Sequence, residues 1–229
     1  FSSMVAGVAS ADLLYYTSFE DPNDLGGKYY DTGDAGVNHW LVNNAGEAAV
    51  NGDGFSAWYG STGGVGLTDG DFVGVSDYTG DVGSWYDGDQ GYQISDTDGT
   101  FELHFNGYEG VADSVSLAIF IADTGYEAAD YLSIHWGDGD LGGGPLYELL
   151  GTGGDGNGSD IEDASGEWMF LELDVSELGA GHLHVRVETN SGSEAIYIDS
   201  VSIMGGVIPA PGALALLGFA GIASRRRRQ

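Results

Sequence analysis

Glycine constrains this chain more than any other residue: 41 of its 229 positions are Gly, far above the usual ~7%. These glycines follow no Gly-X-Y period and are interleaved with Asp and aromatic residues, a pattern that calls for tight turns between short strands. Strand signals come at even intervals: Leu13 to Phe19, Trp40 to Asn43, Ala48 to Asn51 and Phe55 to Tyr59 first, then Phe101 to Phe105, Val115 to Ala122 and Tyr131 to Trp136. Trp168 to Val175, Leu183 to Thr189 and Ala195 to Met204 close the series. Leu183, Val185 and Val187 share one side of their segment, with His182, His184 and Arg186 on the other, as one half-buried strand requires. In the last segment Ile196, Ile198, Val201 and Ile203 change parity across Asp199-Ser200, which predicts a bulge there. Helical signals are scarce, with one turn at most at Ser176 to Leu178. Gly60 to Gly70 and Gly151 to Ser159 read as exposed loops. The pattern as a whole predicts an all-β sandwich.

All 36 acidic residues lie between positions 12 and 206, against only Lys28 and Arg186 in that stretch; the whole chain carries a formal charge of −30. That sign excludes nucleic acid as a partner and disfavours anionic membrane surfaces. Such a body attracts cations and repels itself, so its compact state should depend on counter-ions. Cysteine is absent, so no disulfide contributes rigidity. Calcium is the natural substitute in an acidic, oxygen-rich domain. Residues 12–206 are long enough for one substantial core without a second domain.

The two ends differ from this body. Residues 1–11, FSSMVAGVASA, are small and apolar, end in Ala9-Ser10-Ala11 and meet Asp12 abruptly; this reads as the trailing remnant of a signal peptide. Residues 207–229 place Pro209-Ala210-Pro211 before an apolar run and then Arg225, Arg226, Arg227 and Arg228. Between Val207 and Ser224 nothing is charged; as a helix this stretch would span about 27 Å, close to a hydrocarbon core of roughly 30 Å. The arginines would stay cytoplasmic. This tail resembles the PEP-CTERM sorting signal of bacterial exported proteins, without that signal's central glutamate. The resemblance implies a transmembrane helix over about 212–224, a basic end at 225–228, a transient membrane anchor, and an exosortase-like enzyme that cuts near Pro209 and Pro211. The product would reside at the cell surface or in the extracellular matrix. An ordinary tail anchor that is never cut is the alternative.

A second resemblance covers the body. Tyr16-Thr17-Ser18-Phe19-Glu20-Asp21 near the start and Ala195 to Ile203 at the close, with Trp168 to Ser176 before it, are similar to exported jelly-roll modules, many of them carbohydrate-binding. The resemblance implies a jelly-roll β-sandwich with neighbouring first and last strands and a structural Ca2+ between them. Carried over residue by residue, Glu20 and Asp199 are its side-chain ligands, with Asp21 or Asp31 as further candidates.

Other motifs were weighed for chemistry. Glu172-Leu173-Asp174-Val175-Ser176-Glu177 resembles the E-x-D-x-x-E strand of retaining β-glucan hydrolases, in which the two outer glutamates need carboxyls about 5–5.5 Å apart. Two residues at that spacing face opposite sides of a regular strand, so a bulge would be required. A strand ending in a turn accounts for the same residues. Asp155 to Asp160 begins like an EF-hand loop, yet it has Asp160 where glycine turns the loop and Gly166 where the bidentate glutamate belongs; an EF-hand is excluded. Asp96-Thr97-Asp98-Gly99 reads as a turn. His182 and His184 could hold a metal from one strand face, but a solvent-facing role fits better without a third ligand. Trp58-Tyr59 and Trp85-Tyr86 sit beside Gly/Asp-rich loops, where rings can face a sugar while acids accept its hydroxyl hydrogens. One ring of each adjacent pair should point inward and one outward. Trp58, Trp85 and Tyr86 are therefore the candidate ligand contacts.

These observations converge on an exported, non-enzymatic surface or matrix protein: a calcium-stabilised jelly-roll sandwich with a C-terminal transmembrane sorting helix. The alternatives are a carbohydrate-binding module for extracellular polysaccharide and, behind it, a glycan hydrolase using Glu172 and Glu177.

Overall fold

The computed structural model describes residues 11–20, 39–41, 54–61, 72–138, 144–151 and 160–206. The expected strand at 48–51, most of the loop at 60–70, residues 152–159 of the loop at 151–159, Asp21, Asp31, residues 1–10 of the expected export remnant and the tail at 207–229 lie outside them. Among the described residues no helix is long and apolar enough to cross a membrane.

Among the described residues, twelve strands form two antiparallel sheets. The first contains β1 (Asp12–Thr17), β4 (Phe72–Ser76), β5 (Gly91–Ser95), β7 (Ala112–Ile121), β10 (Trp168–Asp174) and β12 (Ala195–Gly205). The second runs in the order β2 (His39–Leu41), β3 (Phe55–Ser61), β6 (Gly99–Phe105), β11 (His182–Glu188), β8 (Tyr131–Gly137) and β9 (Tyr147–Leu150). One helical turn, α1 (Asp160–Asp163), precedes β10. The chain crosses between sheets at β1–β2, β3–β4, β5–β6, β6–β7, β7–β8, β9–β10, β10–β11 and β11–β12, and inward side chains of both layers form one core.

Alternation explains that core. Phe101, Leu103 and Phe105 of β6, Leu183, Val185 and Val187 of β11, and Leu132, Ile134 and Trp136 of β8 all point inward and are buried. They meet Val115, Leu117 and Ile119 of β7 and Ile196, Ile198, Val201 and Ile203 of β12. Each such side chain contributes roughly 1.5–3 kcal/mol by leaving water.

β12 is the spine of the first sheet. It pairs with β7 along one edge, while its other edge is shared by β5 at Ala195 to Ile198 and by β1 at Val201 to Gly205. The register breaks between Asp199 and Ser202, and Ser200 has φ 47°. The expected bulge is therefore the seam where β12 passes from one neighbour to the other. First and last strands are indeed adjacent. Between β5 and β6, Asp96 and Asp98 adopt positive φ, and buried Thr97 and Thr189 tie the turn to the end of β11: Thr97 Oγ1 donates to Gly99 O (2.8 Å) and accepts from Thr189 N (3.2 Å). This is the turn expected at 96–99, here arching from one sheet to the other.

Candidate carbohydrate-binding face

The segment between β4 and β5 folds back over the outer face of the first sheet. Val82 and Trp85 pack there on Phe120 of β7, Tyr197 of β12 and Trp168 of β10, forming a second apolar cluster. Trp85 is only 5% exposed, with its ring 5.6 Å from Tyr197 and 6.2 Å from Trp168. Tyr86, the next residue, is 47% exposed. The expectation that one ring of the pair points in and one out is met. Trp85 is corrected from a ligand contact to the support beneath one, because the sheet's outer face already offers Tyr197 and Phe120 to cover it.

Glu20 and Asp199 converge on this same segment. Phe19 takes φ 59° and its N–H donates to Thr17 Oγ1, which ends β1 and delivers Glu20. Glu20 Oε1 accepts the amide hydrogens of Asp89 (2.8 Å) and Gln90 (2.9 Å). Asp199, wholly buried at the seam of β12, accepts from Asp87 N through Oδ2 (2.9 Å) and from Ser200 N through Oδ1 (2.6 Å). Burial pushes its carboxyl up to about 6 against these amide bonds. A Cβ on Gly88 would lie 2.1 Å from Glu20 Oε1, so the clasp requires glycine at that point. Tyr16 OH adds a hydrogen bond to Asp87 Oδ2 (2.5 Å), and Trp168 Nε1 donates to Ser84 O (2.9 Å). The two expected calcium ligands thus grip the loop through its backbone. Glu20 Oε1 accepts two loop amides, and the Asp199 carboxyl accepts the backbone amides of Asp87, Ser200 and Tyr86.

Above this support stands a strip of rings. β10 runs along the edge of the sheet in unbroken register with β7, from Trp168 opposite Phe120 to Asp174 opposite Ser114. Its outward side presents Trp168, Phe170, Glu172 and Asp174, while Met169, Leu171 and Leu173 pack on the core. Phe170 is 50% exposed and lies nearly parallel to Tyr86, with centroids 5.8 Å apart and an interplanar angle of 15°. Trp168 meets the edge of Tyr86 at 5.8 Å. Further along the strand Glu172 and Asp174 join Asp113, Ser114 and Ser176 around an open groove of about 590 Å³. Ser176 donates to Asp174 Oδ1 through N (2.9 Å) and Oγ (2.6 Å), holding that carboxyl below its ordinary range. An exposed apolar strip continuing into fixed oxygen acceptors suits a ligand with flat C–H faces and outward hydroxyls.

The hydrolase motif loses its geometric premise. The regular β10–β7 register contains no bulge, and Glu177 lies past the strand in a turn closed by Leu178 N donating to Val175 O (3.0 Å). Glu172 therefore belongs to the strand face and Glu177 to the turn. The second sheet also differs from expectation. His184 is buried rather than solvent-facing: its Nδ1 lies 2.8 Å from Glu102 Oε1 and its ring stacks on His104 at 4.2 Å. Arg186 Nε donates to Glu102 Oε2 (2.7 Å), and these partners lower the Glu102 carboxyl despite its burial. Burial and the neighbouring His184 push His104 down to about 4. Trp58, opposite Glu102 across β3–β6, is half-buried on this outer face, apart from the strip around Tyr86.

No protein-family model matches the chain, and no curated protein matches it. Solved structures do resemble its fold. The K2 cleaved adhesin domain of Lys-gingipain aligns with TM-score 0.46 and 12% identity over 73% of this chain and 99% of that one. The K1 cleaved adhesin domain of Lys-gingipain from Porphyromonas gingivalis W83 aligns with TM-score 0.35 and 14% identity over 83% and 97%. A family 11 carbohydrate-binding module from Clostridium thermocellum, in complex with a β-1,3-1,4-mixed-linked tetrasaccharide, aligns with TM-score 0.35 and 13% identity over 69% and 92%.

Proposed function

We propose that this chain is an exported, non-enzymatic surface or matrix protein whose jelly-roll sandwich holds polysaccharide along the strip Tyr86, Trp168 and Phe170. The observation that carries the proposal is the pair of exposed, nearly parallel rings, Tyr86 and Phe170, beside the groove of Glu172 and Asp174. Rings cover the apolar faces of a sugar, and the carboxylates accept its hydroxyl hydrogens. A net charge of −30 repels acidic polysaccharides, so the ligand class is neutral glycan. Calorimetric titration of the full chain with neutral glucans tests it. Saturable heat that Phe170→Ala and Tyr86→Ala each weaken at least tenfold supports binding at the strip. Heat unaffected by both variants places the ligand elsewhere, with Trp58 the next residue to replace; no heat from any glycan leaves the purely structural matrix role.

Delivery belongs to the same proposal: residues 1–11 as an export remnant, and residues 207–229 as a PEP-CTERM-like signal that anchors in the membrane until an exosortase-like enzyme acts. Mass spectrometry of the protein from its own cells tests this. Cleavage near Pro209 to Pro211 supports processing, and an intact end at Arg225 to Arg228 supports a permanent anchor. Calcium at Glu20 and Asp199 is likewise proposed, because both carboxylates converge on the one loop segment between β4 and β5. A calcium-dependent rise in melting temperature that Glu20→Gln reduces supports it. An unchanged rise assigns that pair to clasping the loop alone.

A further inference from the structure

A second carboxylate group shares no residue with the strip. Glu127 and Asp130 come from the connection between β7 and β8, and Glu194 stands immediately before β12. One oxygen from each lies within 4.8 Å of the others, and among the described residues this is the group of three so placed. Asp130 and Glu194 are only 1% and 3% exposed. Two amide hydrogens reach the cluster: Glu127 N donates to Asp130 Oδ2, and Asn190 N to Glu194 Oε2 (3.0 Å). Asp130 Oδ1 is buried and has no hydrogen-bond partner. Tyr126, next to Glu127 in the chain, directs its hydroxyl to Ala122 O (3.1 Å) instead. The surrounding charges are no help, since Glu188 also bears on Asp130. The one Lys or Arg among the described residues, Arg186, is engaged by Glu102.

A buried carboxylate with one oxygen lacking a donor, grouped with two more carboxylates, requires either a cation or shared protons. We propose that Glu127, Asp130 and Glu194 bind a hard divalent cation, calcium by the all-oxygen donor set, which ties the turn entering β8 to the turn entering β12. The three carboxylates supply its anionic ligands, and main-chain oxygens and water complete six to eight positions. Because β8 and β12 belong to opposite sheets, the ion fastens the two layers at one end of a chain that has no cysteine. Without an ion, burial above all, and then the neighbouring carboxylates, push Asp130 up to about 7 and Glu194 up to about 8, the electrostatic cost that a cation would remove. This site is independent of the glycan-binding proposal and separate from Glu20 and Asp199.

The test is calcium titration of the chelator-stripped full chain, by calorimetry and by melting. Wild type should bind saturably and gain roughly 5–10 °C at about a hundredfold the dissociation constant. Asp130→Asn combined with Glu194→Gln should lose one bound ion and this site's share of the gain, whatever Glu20 and Asp199 contribute. Its calcium-free melting temperature should equal or exceed wild type, because the repulsion has been removed. Glu127→Gln, at an exposed position, should weaken calcium at least tenfold with the fold intact, whereas Glu20→Gln should leave this ion in place. No calcium-dependent gain in wild type overturns the proposal. So does an unchanged gain in the double variant, or a double variant less stable than wild type without calcium, which would mean that the carboxylates share protons instead.

Discussion

Gly91→Ala probes the support beneath the ring strip. Gly91 opens β5, and a Cβ there would lie 2.1 and 2.2 Å from Cζ3 and Cε3 of Trp85, against ordinary contacts of about 3.5–4.0 Å. The indole cannot easily retreat, because Tyr197 and Trp168 flank it at 5.6 and 6.2 Å. Alanine should otherwise gain about 0.5–1 kcal/mol over glycine in a strand. Overpacking of a fixed ring costs about 1–3 kcal/mol, so the clash wins and the variant should be destabilised by about 1–2 kcal/mol. Trp85→Ala alone should cost about 3–5 kcal/mol. In that background the methyl group has space, and Gly91→Ala should become neutral or stabilising. The two changes should therefore couple by about 1–3 kcal/mol, measured by urea unfolding of the four proteins. Equal destabilisation by Gly91→Ala in both backgrounds would refute the seating of Trp85 on Gly91.

His104 has its pKa lowered to about 4, so between about pH 6.5 and 4 the unfolded chain binds the extra proton and the folded chain does not. Stability should fall on acidification through that window, by about 1.4 kcal/mol per pH unit at the steepest, and His104→Gln should flatten the slope by that amount in pH-dependent urea melts. The lowered Glu102 carboxyl acts in the same direction below about pH 4.5. Thr97→Val removes the hydroxyl that joins the β5–β6 arch to Thr189 and should cost roughly 1–3 kcal/mol in chemical denaturation, with Thr97→Ser costing much less.

Much of the sandwich was legible because its central strands alternate cleanly, as in Leu183, Val185 and Val187. The bulge at Asp199-Ser200 was equally readable from a parity change. β4, β5 and β9 were not, since Phe72–Ser76 and Gly91–Ser95 are short, carry glycine and offer few apolar positions to set a period. Extended parity put one ring of the Trp85-Tyr86 pair outside without saying which, and it could not foretell that Trp85 would roof a second cluster on the outer face of the sheet. The even spacing of Phe170 from Trp168 puts both on one face of β10; its pairing with Tyr86 depends on the loop fold, which sequence spacing does not encode. Asp130 and Glu194 are distant in the chain and meet only because β8 and β12 begin at the same end of the sandwich.

The central claim is that Tyr86, Trp168 and Phe170 form a glycan-binding strip, of which the fold itself does not need the Tyr86 and Phe170 rings. Isothermal titration of the full chain with a panel of neutral glucans, repeated on Tyr86→Ala and Phe170→Ala, tests it most directly. The account predicts saturable binding in wild type and at least a tenfold loss, about 1.4 kcal/mol, in each variant at unchanged melting temperature. Binding unaffected by both substitutions, or no binding to any glycan in the panel, would contradict it.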